Sequence, residues 1–455
     1  MAASFNHRTA FAPWINDMRN VAMANERWPF AQIDDQTITD LRLCLELAAK
    51  AGFNEFDVFG LFTSYAWPLD IRSAVDDDRA ARVRTILDMA HELGIRVVCG
   101  LGVYSWGFDE VIAKVPGVRG TNPRAMCSSK EESWQWMTKV IDFILSDYDV
   151  DGFHLESSDQ GRCECDDCIS LSNAEYHCRI NSRTADYVRT IRPDALLSVN
   201  LVGLVPWGST LGPEDRSHFI GLSKHLDAIV DPGHVGKGFV HEDDRAAFIA
   251  SLECDFGTSG GAWVYPAQRW DRLRWFLPYT KRTGQHIRDL YADGGRAIDY
   301  YMGPVINPGV EMCIAFGGRL LMDVERTDKE ILGELVEELY HPANTEVADR
   351  IVSIFQRTED AYYLNFHPHL PRTEPSPGEL HLAPLFGSES GPAIYLAGTR
   401  PDDQPFEGGG LSRYRSELNA VLQDVIGLDG QAKDDGRLSR IAVALQNVIA
   451  DIDQF

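Results

Sequence analysis

One short stretch, Asp151-Gly152-Phe153-His154-Leu155-Glu156-Ser157-Ser158-Asp159, gathers an unusual share of chemically capable side chains. If it is a strand, alternation puts Gly152, His154 and Glu156 on one face and Phe153 and Leu155 on the other. The apolar pair suits a layer of helices. His154 and Glu156 then point into the interior of the sheet, near its end. A carboxylate there is costly unless it is paired, solvated or used. Asp159 follows three residues later, in the loop.

Other strand-like segments end in similar residues. They supply Glu26 and Trp28, then Asp57, Trp106, Asn200 with Trp207, Asp231 with His234, Trp263 with Tyr265, and Tyr301 with Asn307. Aromatic rings stack on the apolar C–H faces of a sugar, while amides and carboxylates bond its hydroxyls. We therefore expect a carbohydrate site. Its substrate-binding residues are drawn from Glu26, Trp28, Asp57, Trp106, His154, Asn200, Trp207, His234, Trp263, Tyr265, Tyr301 and Asn307. Cleaving a glycosidic bond usually takes a protonated acid, its pKa raised by apolar surroundings, and a second carboxylate as nucleophile or base. Glu156 is the expected acid and Asp231 its partner, with Asp159 and Glu26 in reserve. No cofactor is needed for that chemistry.

Directly downstream runs Cys163-Glu164-Cys165-Asp166-Asp167-Cys168, followed by His177-Cys178. Three thiols within six residues, and a fourth from Cys178, have the composition of a structural Zn²⁺ site. Disulfides and free thiols are the open alternatives. His367 and His369 form an HxH pair far from any early strand, which argues against a metal amidohydrolase.

The elements that must position these residues alternate. Strands are expected at residues 19–24, 55–61, 96–104, 150–156, 195–201, 226–230, 261–265 and 297–302, separated by amphipathic helices. Eight such repeats predict an α/β fold, a (β/α)8 TIM barrel over residues 1–310. An open doubly wound sheet alternates in the same way, but no glycine-rich phosphate loop follows the first strand. Residues 311–455 read as a C-terminal helical region. Pro and Gly mark a long loop at about 371–405 within it.

The 455 residues carry 43 Lys and Arg against 68 Asp and Glu, a net charge of −25. Nucleic acid and anionic membrane are polyanions, so neither is an expected partner. No basic start with an apolar core marks a leader, and no apolar run nears the roughly 20 residues of a membrane span. Nine scattered cysteines fit a reducing compartment, so a cytoplasmic location is expected. The expected partner is a small carbohydrate. A homo-oligomer in which the helical region completes a neighbour's pocket stays open.

The order Cys127-Ser128-Ser129, Asp151 to Glu156, Ser157-Ser158-Asp159 and Cys163 to Cys168 resembles glycoside hydrolase barrels of the α-glucuronidase and β-hexosaminidase group. It is also similar to the order found in a family of glucuronidase-like bacterial proteins. That resemblance implies an exo-acting glycosidase whose acid follows the fourth strand, at Glu156. The chain departs from the β-hexosaminidase pattern, in which Asp and Glu are adjacent; here two serines separate Glu156 from Asp159. Two other functions compete: a metal-dependent sugar isomerase, epimerase or lyase, and a carbohydrate-binding protein without turnover.

Overall fold

The computed structural model describes residues 3–20, 33–63, 66–205, 209–232, 239–261, 275–365 and 410–454. Eight parallel strands close into a barrel in sequence order: β1 (His7–Ala12), β2 (Glu55–Val58), β3 (Arg96–Gly102), β4 (Gly152–Glu156), β5 (Leu196–Asn200), β6 (Ala228–Asp231), β7 (Asp255–Gly261) and β8 (Ala297–Tyr301). Closure comes from β1, which pairs with β2 on one side and β8 on the other. The expected (β/α)8 TIM barrel is therefore the architecture, followed by C-terminal helices.

Two strands lie elsewhere than their residues suggest. The first is His7–Ala12, not residues 19–24, of which 21–24 fall outside the described residues. Its polar start, His7-Arg8-Thr9, masks the strand. In the barrel those side chains are not solvated surface. Thr9 Oγ1 lies 3.1 Å from a Glu55 oxygen, His7 Nδ1 2.8 Å from the other, and Arg96 Nη2 2.7 Å from that same atom. The second is β7, which is DFGTSGG rather than residues 261–265. Glycine is a poor strand former by propensity. Here pairing with β6 and β8 supplies the order, and Gly257 is required: a Cβ there would lie 2.4 Å from the Ala297 carbonyl oxygen.

The helices form the outer ring. In order they are α1 (Asp35–Ala51), α2 (Asp77–Glu92), α3 (Asp109–Lys114), α4 (Glu131–Asp147), α5 (Asn173–Ile191), α6 (Pro213–Ser223), α7 (Glu242–Ile249), α8 (Thr280–Ala292) and α9 (Pro308–Met322). The first of these shows the local logic. Asp34 caps the first turn by accepting the Thr37 N–H at 2.7 Å, and Gly52 ends the helix at φ 102°, a conformation open to glycine. α9 packs against both α1 and α8, so the ring is completed by a helix that crosses the boundary expected at residue 310.

Beyond it come α10 (Asp328–Tyr340), α11 (Thr345–Asn365), α12 (Gly410–Ile426) and α13 (Arg437–Gln454). α11, α12 and α13 pack in sequence, and α10, α11 and α13 touch the barrel helices. The Pro/Gly-rich stretch at 371–405, with His367 and His369, lies outside the described residues. No described helix is long and apolar enough to cross a membrane.

Candidate active site

Glu156 is the last residue of β4, at the C-terminal mouth of the barrel where such folds carry their chemistry. Its Oε1 accepts the backbone N–H groups of Ser158 at 2.8 Å and Asp159 at 3.0 Å. Its Oε2 is buried with no hydrogen-bond partner among the described residues. Burial pushes the carboxyl up to about 8, and the negative charge of Asp159 adds to the shift; the two amides and the Ser158 hydroxyl oppose it. Glu156 therefore keeps its proton at neutral pH. The turn behind it is tied down. Ser157 Oγ meets His177 Nδ1 at 3.0 Å and Asn181 Nδ2 at 2.9 Å, both from α5, and Ser158 Oγ donates to the Val202 carbonyl at 2.9 Å.

Below Glu156 lies a buried polar layer. His154, Asp57 and Asp299 come from β4, β2 and β8 and are almost wholly buried. His154 Nδ1 is 3.4 Å from Asp57 Oδ2 and 2.7 Å from Ser198 Oγ; His154 Nε2 is 3.6 Å from Asp299 Oδ2. Asn200 Nδ2 donates to Asp299 Oδ2 at 3.4 Å. Burial favours the neutral form of each group. It drives Asp57 well up, Asp299 up to about 7 and His154 down to about 3. The contrast with Glu55, two residues before Asp57 on the same strand face, is instructive. Glu55 meets His7, Thr9 and Arg96 and serves as the barrel floor, whereas neither Asp57 oxygen has a hydrogen-bond donor among the described residues.

The mouth carries an aromatic wall. Trp106 is half-buried and stands edge-on to Trp14 at 5.9 Å; Trp14 is 6.2 Å from Phe59, and Phe59 is 6.3 Å from the His154 ring. Two glycines of β3 make this possible. A Cβ on Gly100 would lie 2.1 Å from the Phe59 ring, and one on Gly102 would lie 2.1 Å from the Trp106 carbonyl oxygen. Tyr104, two residues after Gly102, takes a left-handed φ of 63°, rare for a bulky residue, and its carbonyl accepts the Met126 N–H at 2.7 Å. Tyr301 stands edge-on to Phe11 at 4.6 Å inside the barrel.

Two expected site residues have evident architectural partners. Asp231 accepts the Phe239 N–H at 3.0 Å on one oxygen and the Val240 N–H at 2.9 Å on the other, which fastens the chain after β6. Asn307 caps α9 through Gly309 N–H at 2.9 Å and donates to the Trp275 carbonyl at 2.7 Å. Asp159 is exposed at the mouth beside Glu156. Glu26, Trp28, Trp207, His234, Trp263 and Tyr265 lie outside the described residues. Trp14 and Phe59 were not expected, and Asp299 was expected only as a residue of the eighth strand leading to Tyr301 and Asn307. Asp299 carried a usable signal, since it shares a strand face with Tyr301. Trp14 sits just beyond a strand whose position the sequence hid.

The cysteines correct one expectation. The thiols that gather are Cys127, Cys163, Cys165 and Cys168, with all four sulfurs within 4.8 Å of one another. Cys178, expected as the fourth ligand, is outside this group and buried on α5. Cys127 lies in the loop before α4, which starts at Glu131. The Ser129 hydroxyl is 3.0 Å from the Cys127 sulfur. No disulfide is formed by the described cysteines, and the four-thiol group could bind a structural metal such as zinc.

No family model matches the chain, and no curated protein matches it. Solved structures do. A GH138 enzyme targeting pectin rhamnogalacturonan II superposes with a TM-score of 0.60 at 10% identity, covering 99% of this chain and 71% of that one. CpGH84B superposes with a TM-score of 0.51 at 11% identity, covering 98% of this chain and 67% of that one. At such identity the likeness shows the fold, a barrel plus helices shared with glycoside hydrolases.

Proposed function

We propose that the protein is a glycoside hydrolase acting on an oligosaccharide or small glycoside, in an exo manner, with Glu156 as general acid. One observation carries this reading: a buried carboxyl at the mouth of a barrel strand, with one oxygen held by two amides and the other buried without a hydrogen-bond partner among the described residues, and burial raises its pKa to about 8. Such a group is set to deliver a proton to a leaving-group oxygen. As the glycosidic C–O bond breaks, the proton passes from Glu156 to that oxygen. The positive charge that develops on the sugar ring needs a carboxylate close by.

Asp159 suits this second role better than Asp231. It is exposed and adjacent to Glu156, and its charge already acts on that residue. Both oxygens of Asp231 are engaged by backbone amides, which fixes a loop. Trp106, half-buried at the mouth and backed by the buried Trp14, supplies a ring face for the sugar. The likeness to glycoside hydrolase barrels supports the same reading.

The test is a panel of aryl glycosides and oligosaccharides with wild type and Glu156→Gln. Loss of a general acid should cost on the order of 10²–10⁴ in kcat. The loss should be far smaller for leaving groups so acidic that they need no proton. Equal activity of the two proteins removes Glu156 from the mechanism. Sugar binding without product across the panel makes the protein a carbohydrate-binding barrel instead.

A further inference from the structure

We infer that Cys127, Cys163, Cys165 and Cys168 form a closed tetrathiolate zinc site that staples the loop after β3 to the loop after β4. Geometry is the first argument. Zn–S bonds of about 2.3 Å in a tetrahedron place the sulfurs about 3.8 Å apart. Cys127 Sγ lies 3.6 Å from Cys165 Sγ and 3.9 Å from Cys168 Sγ, and all four sulfurs fall within 4.8 Å. A disulfide needs about 2.05 Å, and the cysteines are free. Four thiolates fill the coordination shell, so the site is structural and has no open position for a substrate.

The surroundings are built to bring the two loops together. Cys127 is anchored by its N–H to the Val118 carbonyl at 2.8 Å, and its own carbonyl accepts the Lys130 N–H at 3.2 Å. Gly120 lets the first loop reach the second: a Cβ there would sit 2.2 Å from the Cys163 sulfur. The Cys165 carbonyl accepts the N–H groups of Cys168 at 2.8 Å and Ile169 at 2.9 Å, which folds the CxxC segment into a tight turn. Three of the sulfurs belong to buried residues, so ligation need not compete with bulk water.

The consequence reaches the mouth of the barrel. The second loop begins at Ser157 and carries the Ser158 and Asp159 amides that hold Glu156. It is also tethered to the first loop by hydrogen bonds from Asn122 Nδ2 to the Gln160 carbonyl, 2.9 Å, and from the Glu164 N–H to Thr121 Oγ1, 2.7 Å. A metal at the cysteines therefore fixes the far end of the segment that positions Glu156. This holds whether or not the barrel hydrolyses glycosides.

Elemental analysis of the full chain, purified without chelator and incubated with Zn²⁺, should give about one zinc per chain. Cys127→Ser and Cys165→Ser should lower it to background, while Cys178→Ser and Cys254→Ser keep it. If the serine variants fail to fold, wild type still decides. Stripping the metal should lower Tm and raise hydrogen exchange in residues 119–130 and 157–170, with recovery on adding Zn²⁺. Co²⁺ in its place should give the intense visible absorption of a tetrahedral thiolate site. No bound metal after Zn²⁺ incubation, iron in its place, a disulfide among the four, or full zinc content in Cys127→Ser would overturn the proposal.

Discussion

A single carboxyl, Glu156, combines burial, two amide partners and a charged neighbour, and each has a measurable sign. Because its pKa is raised to about 8, an activity that depends on its proton should fall as pH rises through that value. In Asp159→Asn the repulsion is gone while burial stays, so the basic limb of the pH–rate profile should move to lower pH. An unmoved limb would detach the titration from this pair. The same groups predict a pH-dependent stability. Glu156, at about 8 against an ordinary 4.5, and Asp299, at about 7 against 3.8, hold protons in the folded chain that the unfolded chain has lost. Their stabilising contribution is complete below the ordinary carboxylate range and is lost as pH rises through the folded values. Denaturant melts should thus show stability declining between about pH 5 and pH 8.5, with a shallower slope in Glu156→Gln. Parallel slopes would mean that the buried carboxyl is already ionised.

At the scale of one element, β4 is as constrained at its start as at its end. A Cβ on Gly152 would lie 1.9 Å from the Leu196 carbonyl oxygen of β5, and backbone cannot swing aside as a side chain does. Gly152→Ala should therefore cost about 2 kcal/mol or more in chemical denaturation. Gly212→Ala, with open space around the new methyl, should change stability little. β4 was legible from its own residues, because alternation over five positions is a local property. β1 was not, since its polar start reads as a loop until Glu55 and Arg96 meet it. β7 was not, since its glycines make sense only against the neighbouring strands.

At the scale of the whole molecule, the C-terminal helices are joined to the barrel through buried charge. Glu359 of α11 accepts the N–H groups of Lys281 at 3.0 Å and Arg282 at 2.9 Å, and the Thr280 hydroxyl at 3.2 Å. It thereby caps α8, whose preceding residue Tyr279 provides no side-chain cap. Arg437 of α13 makes a two-pronged pair with Glu311 of α9, at 2.8 and 2.7 Å. Glu311→Ala strands a mostly buried guanidinium and should cost about 3 kcal/mol, seen as a lowered Tm. Glu359→Ala should cost about 2 kcal/mol by exposing the α8 N-terminus to unpaired burial. If both variants unfold in one transition, barrel and helices form one cooperative unit. A separate early transition would show that the helices unfold by themselves.

The residues alone determined the α/β rhythm, the barrel and the inward aim of His154 and Glu156. These depend on periods of two and of about 3.6 within one element, which a linear chain displays. The tertiary structure decided what depends on contacts between distant segments. Cys127 joins thiols more than 35 positions downstream because adjacent loops meet at the barrel rim. Asp231 ties down a loop through amides that no spacing announces. Asp57, His154 and Asp299 become one buried layer only when β2, β4 and β8 face one another across a closed barrel. Which carboxyl keeps its proton follows from that closure, because burial, the largest contribution to each of these shifts, does not exist until the barrel has formed.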